Sequence, residues 1–242
     1  MNSEDVSVCP ICFTTGLMEF RGRHHAQCGK CKSMERGRLA WMVMTRLGCL
    51  RPNVRFLNFA PEPFMLNYGR RVVGDGYEAA DYSPELFGEH APNIRKLDMC
   101  NDISHIPKET YDVVMHNHVL EHVPCHVPTV LRNLCSIVKP SGWHIFSIPI
   151  FPNRVNEEDY SDSVSSQERA RRFGQSDHVR CFGKDFMDIL TEAGLVGGLF
   201  DISKLFQENE LAIWGVPVDA ISGMTSHRVF AWSPALAPKA YR

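Results

Sequence analysis

The feature that most constrains this chain is a regular alternation, from residue 54 onward, between short apolar runs and longer amphipathic stretches. Short apolar runs bounded by turn residues are typical of buried strands, whereas apolar residues at helical spacing are typical of helices. Strands that alternate with helices favour a doubly wound sheet with helices on both faces. We therefore predict an α/β, Rossmann-like, doubly wound fold with a mostly parallel seven-stranded sheet.

The predicted elements follow one another in a simple order. Strands are predicted at residues 54–60, 76–81, 94–98, 111–116 and 143–149, with closing strands at 202–206 and 228–232. Helices are predicted at 127–138 and 183–193, and an earlier helix begins near Ser33 and ends before Pro52. A Lys-Pro-Ser-Gly turn, residues 139–142, is expected to precede the fifth strand.

The length and the N-terminus restrict the setting of the protein. A chain of 242 residues suffices for one well-filled α/β domain and a small appendage. No apolar run approaches the ~20 residues that a membrane helix requires. The first ten residues are polar and acidic, so we expect neither a signal peptide nor a membrane partner, and we predict a cytoplasmic location.

Four of the nine cysteines form two pairs separated by 15 residues: Cys9 with Cys12, and Cys28 with Cys31. Two such pairs suit tetrahedral Zn²⁺, because each supplies two thiolates from one tight turn. Four protein ligands complete the coordination shell, so we predict a structural zinc ion in a small N-terminal zinc ribbon. Two alternatives stay open: a redox-active dithiol, or a site in which His24 or His25 replaces one cysteine.

The cysteine pairs also divide the chain. We assign residues 1–50 to the zinc ribbon and a linking helix, and residues 51–242 to the α/β domain. The other cysteines lack metal-ligand spacing and are expected to be core or incidental thiols. They are Cys49, Cys100, Cys125, Cys135 and Cys181.

Charge is distributed unevenly along the chain. From Arg21 to Arg55 there are nine basic residues and one acidic residue, Glu35. Of the 26 basic and 28 acidic residues in total, this leaves 17 basic and 27 acidic elsewhere. The basic stretch is compatible with binding to phosphate groups, and equally with a solvated face that offsets the acidic remainder.

Two carboxylates follow successive predicted strands. Asp81 ends the second strand, where its side chain is placed to accept hydrogen bonds from ribose hydroxyls. Asp98 ends the third strand, where it is placed to accept one from an adenine amino group. Either residue is also a common turn former, but the two together favour an adenosine ligand.

Two further stretches carry a resemblance to a known family. Residues 111–124, YDVVMHNHVLEHVP, and the following VLRNLCSIVKPSGW resemble the fourth-strand and fifth-strand motifs of class I S-adenosylmethionine-dependent methyltransferases, in particular the type 11 group related to ubiquinone biosynthesis. A bacterial subgroup of that group also has cysteine knuckles, an Ala-Pro-Glu motif and an FGQxDHVRxYG segment. Here these motifs appear at residues 28–36, 58–62 and 173–183.

The resemblance implies S-adenosylmethionine as cofactor and assigns residues to it. Asp81 would hold the ribose and Asp98 the adenine end, and residues 60–62 would hold the methionine moiety. Ala60 and Glu62 stand where glycines usually let the backbone approach the ligand. The complete predicted set is Asn58, Ala60, Glu62, Asp81, Tyr82, Asp98, Met99, His116 and Asn117.

Residues 151–182 form a connection too long for an ordinary link between elements, which indicates a lid or substrate segment. A solvated polar excursion is the alternative. Its candidate substrate-binding residues are Glu168, Arg169, Gln175, Asp177 and Arg180. Arg180 has the planar fork that pairs with phosphate or carboxylate.

Histidines supply the candidate general bases, because imidazole titrates near neutral pH. His178, within the long segment, and His118, after the fourth strand, are the predicted catalytic residues. Glu121 and His122 also carry ionisable groups, but HVLEH is frequent among related enzymes, so we expect helix-start and packing roles for them.

Three functions remain in order of preference. The first is methyl transfer to a hydroxyl or amine of a small molecule, such as a sugar, a nucleotide-linked compound or a secondary metabolite. The second is an RNA methyltransferase that binds RNA through the basic zinc ribbon. The third is a non-catalytic binding module. The sequence leaves the oligomeric state open.

Overall fold

The central sheet has seven strands in the computed structural model of the protein, which describes residues 7–90 and 93–238. Residues 1–6, part of the polar N-terminus considered above, lie outside the described residues. Before the sheet come β1 (Leu17–Phe20), β2 (Arg23–Cys28) and α1 (Glu35–Arg46). Within the described residues, the sheet consists of β3 (Phe56–Phe59), β4 (Tyr77–Asp81), β5 (Ile94–Lys96), β6 (Tyr111–Asn117), β7 (Val138–Ser147), β11 (Leu199–Phe200) and β12 (Val229–Trp232).

The strand order along this sheet is β11-β12-β7-β6-β3-β4-β5. The pairs between β7, β6, β3, β4 and β5 are all parallel, and β12 is antiparallel to both of its neighbours. This order confirms the predicted Rossmann-like α/β fold with a mostly parallel seven-stranded sheet. The chain moves outward from β3 to β5 and then returns to β6 on the other side of β3, which creates a topological switch point between β3 and β6.

Helices cover both faces of the sheet. They are α1, α2 (Arg70–Val73), α3 (Val127–Ser136), α4 (Ser166–Phe173), α5 (Phe186–Glu192), α6 (Glu208–Ile213) and α7 (Asp219–Ser222). Helix α1 lies against β7 and β12, whereas α3 packs on β7 and α5. Helix α3 begins with Pro128 in its first turn, a position where proline costs no hydrogen bond. No helix in the described part of the chain is both long and apolar enough to cross a bilayer.

Two predicted elements differ from those observed. The Lys-Pro-Ser-Gly sequence lies within β7 as a bulge and does not form a turn before it, since Tyr111 pairs with Val138 and Val113 with Trp143. The closing strand predicted at 202–206 is wrong. Residues Ile202–Leu205 form a 3₁₀ turn because the Asp201 side chain accepts a hydrogen bond from the backbone N–H of Ser203, and the pairing strand is β11.

The N-terminal segment shares its core with the sheet. Cys9 and Cys28 belong to the same buried cluster as Leu39 and Val43 of α1 and Phe56 of β3. Residues on both sides of the predicted boundary at residue 50 therefore contribute to one core, and the boundary itself stays a prediction.

A single arginine holds the N-terminal segment against the rest of the protein. Arg38 of α1 is fully buried, and its guanidinium donates to five backbone carbonyls. The acceptors, at 2.5–3.1 Å, are His25, Ala26, Ser33, Trp214 and Gly215. One side chain thus joins the β1–β2 hairpin, the start of α1 and the end of α6.

Residues 151–182 are ordered. Strands β8 (Ile150–Phe151), β9 (Glu157–Glu158) and β10 (Arg180–Gly183) form a small sheet in the order β8-β10-β9. Helix α4 lies between β9 and β10; the Ser165 side chain accepts from the N–H of Glu168 at its start, and Gly174 ends it with φ 95°. The segment is therefore a folded insertion and not a solvated polar excursion.

One expectation about the cysteines is corrected. Cys100 and Cys125, taken above as core or incidental thiols, form a disulfide. Cys100 follows the third parallel strand and Cys125 lies just before α3, so the bond joins two loops that follow β5 and β6.

Candidate functional site

The switch point lies where β3 and β6 end side by side. These strands are parallel, and Phe59 at the end of β3 pairs with His116 near the end of β6. Ligands of open α/β sheets bind beyond the carboxyl ends of the strands at such a point. The loops that start at Ala60 and His118 therefore border the candidate site.

The loop after β3 has an unusual backbone. Ala60 has φ 44°, in the left-handed region that glycine adopts without penalty, and its N–H donates to the carbonyl of Ala80 at 2.8 Å. The conformation that glycine usually provides is thus present with a methyl side chain. The surrounding strands β3 and β4 hold the residue in place through this hydrogen bond.

Glu62 links this loop to β6 and to α1. Its carboxylate accepts hydrogen bonds from Arg36 Nη2 and from Asn117 Nδ2, each at 3.0 Å. Asn117 in turn accepts from Ser147 Oγ at 2.9 Å. This chain of polar contacts brings together Asn117 and Glu62, two members of the predicted cofactor set, and adds Arg36, which was not a candidate site residue.

Asp81 is the acidic residue at the end of β4. Its Oδ1 accepts from the N–H of Ser83 at 2.7 Å, and within the described residues its Oδ2 has no hydrogen bond. Tyr82 is two-thirds exposed, at 66%, and lies under the Lys96 ammonium. One carboxylate oxygen and one aromatic face are thus available to a ligand at this strand end.

Asp98 is more closely tied to its own turn. Its two oxygens accept from the N–H of Cys100 and from Asn101 Nδ2, both at 2.8 Å. The adjacent Met99 is buried in the apolar core. The turn-forming role considered above is therefore observed, and its role toward adenine stays a prediction.

Two residues predicted to contact a cofactor use their side chains in contacts within the sheet. The Asn58 amide donates to the carbonyls of Phe59 and Met115 and accepts from the Tyr77 hydroxyl, so it holds the sheet together. His116 is fully buried against His144 and Phe146, and burial lowers its pKa to about 3.

His116 therefore remains neutral inside the core and does not line the crevice. The cofactor-binding prediction for Asn58 and His116 is corrected accordingly, since both side chains are buried in the sheet. His116 is level with Phe59, the residue after Asn58, so the two side chains point to opposite faces.

A group of ionisable side chains gathers beyond the end of β6. His118, with φ 52°, directs Nδ1 toward Glu121 Oε1 at 3.8 Å, while its Nε2 lies 3.2 Å from the carbonyl of Ser226. Glu121 is only 1% exposed, and burial raises its pKa to about 8. Burial also lowers the pKa of His118 well below its usual value.

The folded insertion brings His178 to the same place. Its Nδ1 lies 2.9 Å from the carbonyl of Phe173, and the N–H of Val179 donates to the carbonyl of Glu121 at 2.9 Å. His178 is buried, which lowers its pKa, and its Nε2 has no partner among the described residues. His118 and His178, predicted from separate motifs, thus flank Glu121.

Arg180 has a different role from the predicted one. Its guanidinium is buried and donates to backbone carbonyls at 2.5–2.8 Å, namely those of Leu120, Val123 and Cys125. Its Nη2 also lies 3.1 Å from Glu158 Oε2. Since these contacts use the fork, Arg180 fastens the loop after β6 to the insertion and is not free for a substrate phosphate.

The other predicted substrate residues are scattered. Arg169 donates to the carbonyls of Asp159, Ser161 and His178, and so shapes the insertion. Glu168 pairs with Arg171 on the outer face of α4, and the Gln175 side chain is exposed.

Of this set, Asp177 contacts an imidazole ring, that of His122, whose Nδ1 lies 3.2 Å from Asp177 Oδ2. Glu121 and His122, expected above to have helix-start and packing roles, both lie in this group of ionisable side chains. The pattern that revealed them, HVLEH, is too common to distinguish a packing role from a site role.

The four N-terminal cysteines converge as predicted. Cys9 Sγ lies 3.6 Å from Cys31 Sγ, and Cys12 Sγ lies 3.5 Å from Cys28 Sγ. All four sulfur atoms lie within 4.8 Å of one another. Zinc–sulfur bonds of about 2.3 Å in a tetrahedron place sulfurs about 3.8 Å apart, so the quartet fits a tetrahedral ion.

Comparison with known proteins adds a family. Residues 60–196, more than half of the chain, match a sequence profile described as a methyltransferase domain. No curated protein matches significantly.

Solved structures of similar fold include the YcgJ protein of Bacillus subtilis, at 15% identity and a TM-score of 0.45 over 72% of this chain and 77% of that one. A SAM-dependent methyltransferase from Archaeoglobus fulgidus has 15% identity and a TM-score of 0.46 over 81% and 94%. The 1,6-didemethyltoxoflavin-N1-methyltransferase of Burkholderia thailandensis has 17% identity and a TM-score of 0.43 over 66% and 67%.

Proposed function

The chain belongs to the methyltransferase domain family, and from that premise we propose that it transfers a methyl group from S-adenosylmethionine to a hydroxyl or amine of a small molecule. When bound, S-adenosylmethionine supplies an electrophilic methyl group on its sulfonium sulfur. The protein then has two tasks: to hold the donor and acceptor in line, and to accept a proton from the acceptor.

Asp81 carries the cofactor part of the proposal. It stands 21 residues after Ala60, at the end of the strand next to β3. In related nucleotide-binding folds an acidic residue about 20 residues beyond the first-strand loop accepts hydrogen bonds from the ribose. The available Oδ2 of Asp81 suits this role.

The loop after β3 supports the other end of the cofactor. The left-handed Ala60 brings backbone N–H and C=O groups to the end of the strand with only a methyl group in the way. The Glu62 carboxylate is neutralised by Arg36 and fixed by Asn117. We assign this loop to the methionine moiety, which presents both a carboxylate and an ammonium group.

Proton acceptance falls to His118 or His178. Burial lowers both pKa values, so each imidazole is neutral at pH 7 and retains a lone pair. With Nδ1 donating to the Phe173 carbonyl, the lone pair of His178 is on Nε2. With Nε2 donating to the Ser226 carbonyl, the lone pair of His118 is on Nδ1.

The test is calorimetry with S-adenosylmethionine and with S-adenosylhomocysteine. Changing Asp81 to alanine is expected to weaken binding at least about tenfold, the value of one good charged hydrogen bond. Asp75→Ala is the matched control, because Asp75 is an exposed aspartate in the turn before the same strand. Absence of binding by the unmodified protein would refute the proposal.

We also propose that the cysteine quartet holds a structural zinc ion. Elemental analysis is expected to find about one equivalent of zinc at this site, and Cys12→Ser is expected to lose it. Cys135→Ala, which changes a buried cysteine of α3, should retain the metal. Retention of full zinc content by Cys12→Ser would contradict this assignment.

The RNA and binding-module alternatives, like the cytoplasmic location, remain predictions. Part of the positive charge of residues 21–55 is used in contacts within the protein. Arg38 is buried, Arg36 pairs with Glu62, and Arg23 pairs with Glu35. That leaves less free positive charge for RNA than the count of residues suggests. We therefore keep a small-molecule acceptor as the proposal.

A further inference from the structure

Three potential metal ligands meet beyond the end of β6, apart from the cysteine quartet. Glu121, His122 and His178 each offer one ligand atom, and these atoms all lie within 4.8 Å of one another. Glu121 is 1% and His178 is 2% exposed. From this geometry we infer that the three residues bind a divalent transition-metal ion.

Unpaired buried atoms are the second observation. Oε2 of Glu121 and Nε2 of His178 are both buried, and neither has a hydrogen-bond partner among the residues described. A buried polar atom without a partner costs about 1–3 kcal/mol, so proteins rarely leave two in one place. A bound cation would satisfy both, because each atom presents a lone pair.

The outer nitrogen atoms of the two histidines are already engaged. His178 Nδ1 lies 2.9 Å from the carbonyl of Phe173, and His122 Nδ1 lies 3.2 Å from Asp177 Oδ2. Metal-binding histidines usually donate their second ring N–H to a carbonyl or carboxylate in this way, which fixes the ligating nitrogen. In both residues the nitrogen left for a metal is Nε2.

The spacing of these atoms permits an ion. His122 Nε2 lies 4.0 Å from Glu121 Oε1, and the two imidazole rings have centroids 4.7 Å apart. Ligands bound at about 2.0–2.2 Å lie about 3–3.5 Å from each other, so contraction of about 1 Å completes the site. His122 is the ligand best able to move, because its side chain is 37% exposed.

The chemistry of the ligands selects the kind of ion. Two imidazoles and one carboxylate favour Zn²⁺, Co²⁺ or Fe²⁺, whereas Mg²⁺ and Ca²⁺ prefer oxygen ligands. Three protein ligands leave coordination positions open, the arrangement of reactive metal sites. The four cysteines, by contrast, would fill every coordination position of a tetrahedral ion.

The backbone around the site is fixed in two ways. The Val179 N–H bonds to the Glu121 carbonyl, and the Arg180 guanidinium bonds to three carbonyls of residues 120–125. The insertion and the loop after β6 are therefore held in one arrangement before any ion binds. Preformed ligands of this kind reduce the cost of metal binding.

One part of the inference rests on the proposed function. With Nε2 of His178 committed to the ion, proton acceptance passes to His118, whose Nδ1 lies 3.8 Å from Glu121 Oε1. An acceptor hydroxyl bound at an open position of the ion would lose its proton more readily. Acceptors with a hydroxyl group are therefore favoured over amines.

The experiment titrates Co²⁺ into full-length protein already loaded with one equivalent of zinc. Co²⁺ bound by imidazole and carboxylate gives visible d–d bands without the thiolate charge-transfer band that a cysteine site would produce. We expect one equivalent to bind, and at least about tenfold weaker binding in His178→Ala and His122→Ala. His126→Ala is the control, since His126 is 53% exposed and pairs with Glu192 outside the group.

Three results would overturn the inference: no Co²⁺ binding at millimolar concentration, equal binding in His122→Ala and the unmodified protein, or a spectrum with thiolate charge transfer only. Far-UV circular dichroism and zinc content establish that each variant is folded. His122→Ala keeps the test decisive if the buried His178→Ala variant fails to fold.

A separate calorimetric titration with S-adenosylmethionine distinguishes this inference from the proposed function. Cobalt binding without cofactor binding would support the metal site and refute methyl transfer. Cofactor binding without cobalt binding would support methyl transfer and refute the metal site.

Discussion

Replacement of Arg38 by methionine is expected to destabilise the protein more than any other single change at an arginine of the N-terminal segment. Arg38 is fully buried within α1. Methionine keeps much of the aliphatic length but removes every donor. The five carbonyls that face the guanidinium would then lose their common partner.

The magnitude follows from opposing effects. A buried acceptor left unpaired costs about 1–3 kcal/mol, but water can reach some of the five carbonyls once the guanidinium is gone. Removing the arginine also relieves the cost of burying its charge, which is apparent in its lowered pKa. With several of the five acceptors left unpaired and this relief set against them, we expect a net loss of stability of about 3–5 kcal/mol.

The assay is urea unfolding at constant zinc concentration, followed by far-UV circular dichroism. Arg38→Lys retains the charge but only three donors, so an intermediate loss is expected. Arg51→Met is the matched control: Arg51 is exposed, donates from Nε to the Gly48 carbonyl, and should change stability by less than about 0.5 kcal/mol. If Arg38→Met unfolds within about 1 kcal/mol of the unmodified protein, the reasoning is refuted.

A second measurement locates the damage. The carbonyls of Ala26 and Ser33 stand two residues before Cys28 and two after Cys31, so Arg38 braces one side of the cysteine quartet. A chelator should therefore extract zinc faster from Arg38→Met than from the control. Equal extraction rates would show that the hairpin keeps its shape without the guanidinium.

Two further predictions concern other parts of the fold. Hydrogen bonds from Arg172 and Ser161 lower the pKa of Asp159 to about 2. The stabilisation that the ionised carboxylate provides is therefore complete above pH about 4 and is lost as the pH falls through 2. An NMR titration of Arg172→Gln should show the pKa of Asp159 rise toward about 3.9, and an unchanged pKa would contradict this cause. Reduction of the Cys100–Cys125 disulfide is expected to cost about 3 kcal/mol on the chain-entropy account, measured as a lower unfolding midpoint in reductant. Two free thiols at these positions in non-reduced peptide maps would argue against the bond and for a reducing compartment.

Much of the fold could be predicted because local patterns and global topology agree. The apolar runs at β3, β4 and β6 are buried on both faces, which makes them easy to recognise as strands of a parallel sheet. One error, the closing strand, has a local cause. The run at 202–206 was apolar enough for a strand, but the Asp201 side chain bonds to the backbone and starts a turn.

The candidate site was predicted less completely because its residues come from distant parts of the chain. Asp81 could be located from the end of a predicted strand, whereas the loop after β3 was assigned through the family resemblance. Glu121 and His178 could not be paired, since only the folded insertion brings positions 121 and 178 together. Arg180 was misassigned because sequence does not show whether a guanidinium is surrounded by carbonyls or by water.

The contact of Arg36 with Glu62 has a consequence for anyone who dissects this protein. Deleting the N-terminal segment would remove the guanidinium partner of the Glu62 carboxylate, in the loop proposed to hold the methionine moiety. A shortened protein would therefore differ in local electrostatics as well as in metal content. If the α/β domain were fused to a different N-terminal module, that module would have to provide a guanidinium at the position of Arg36.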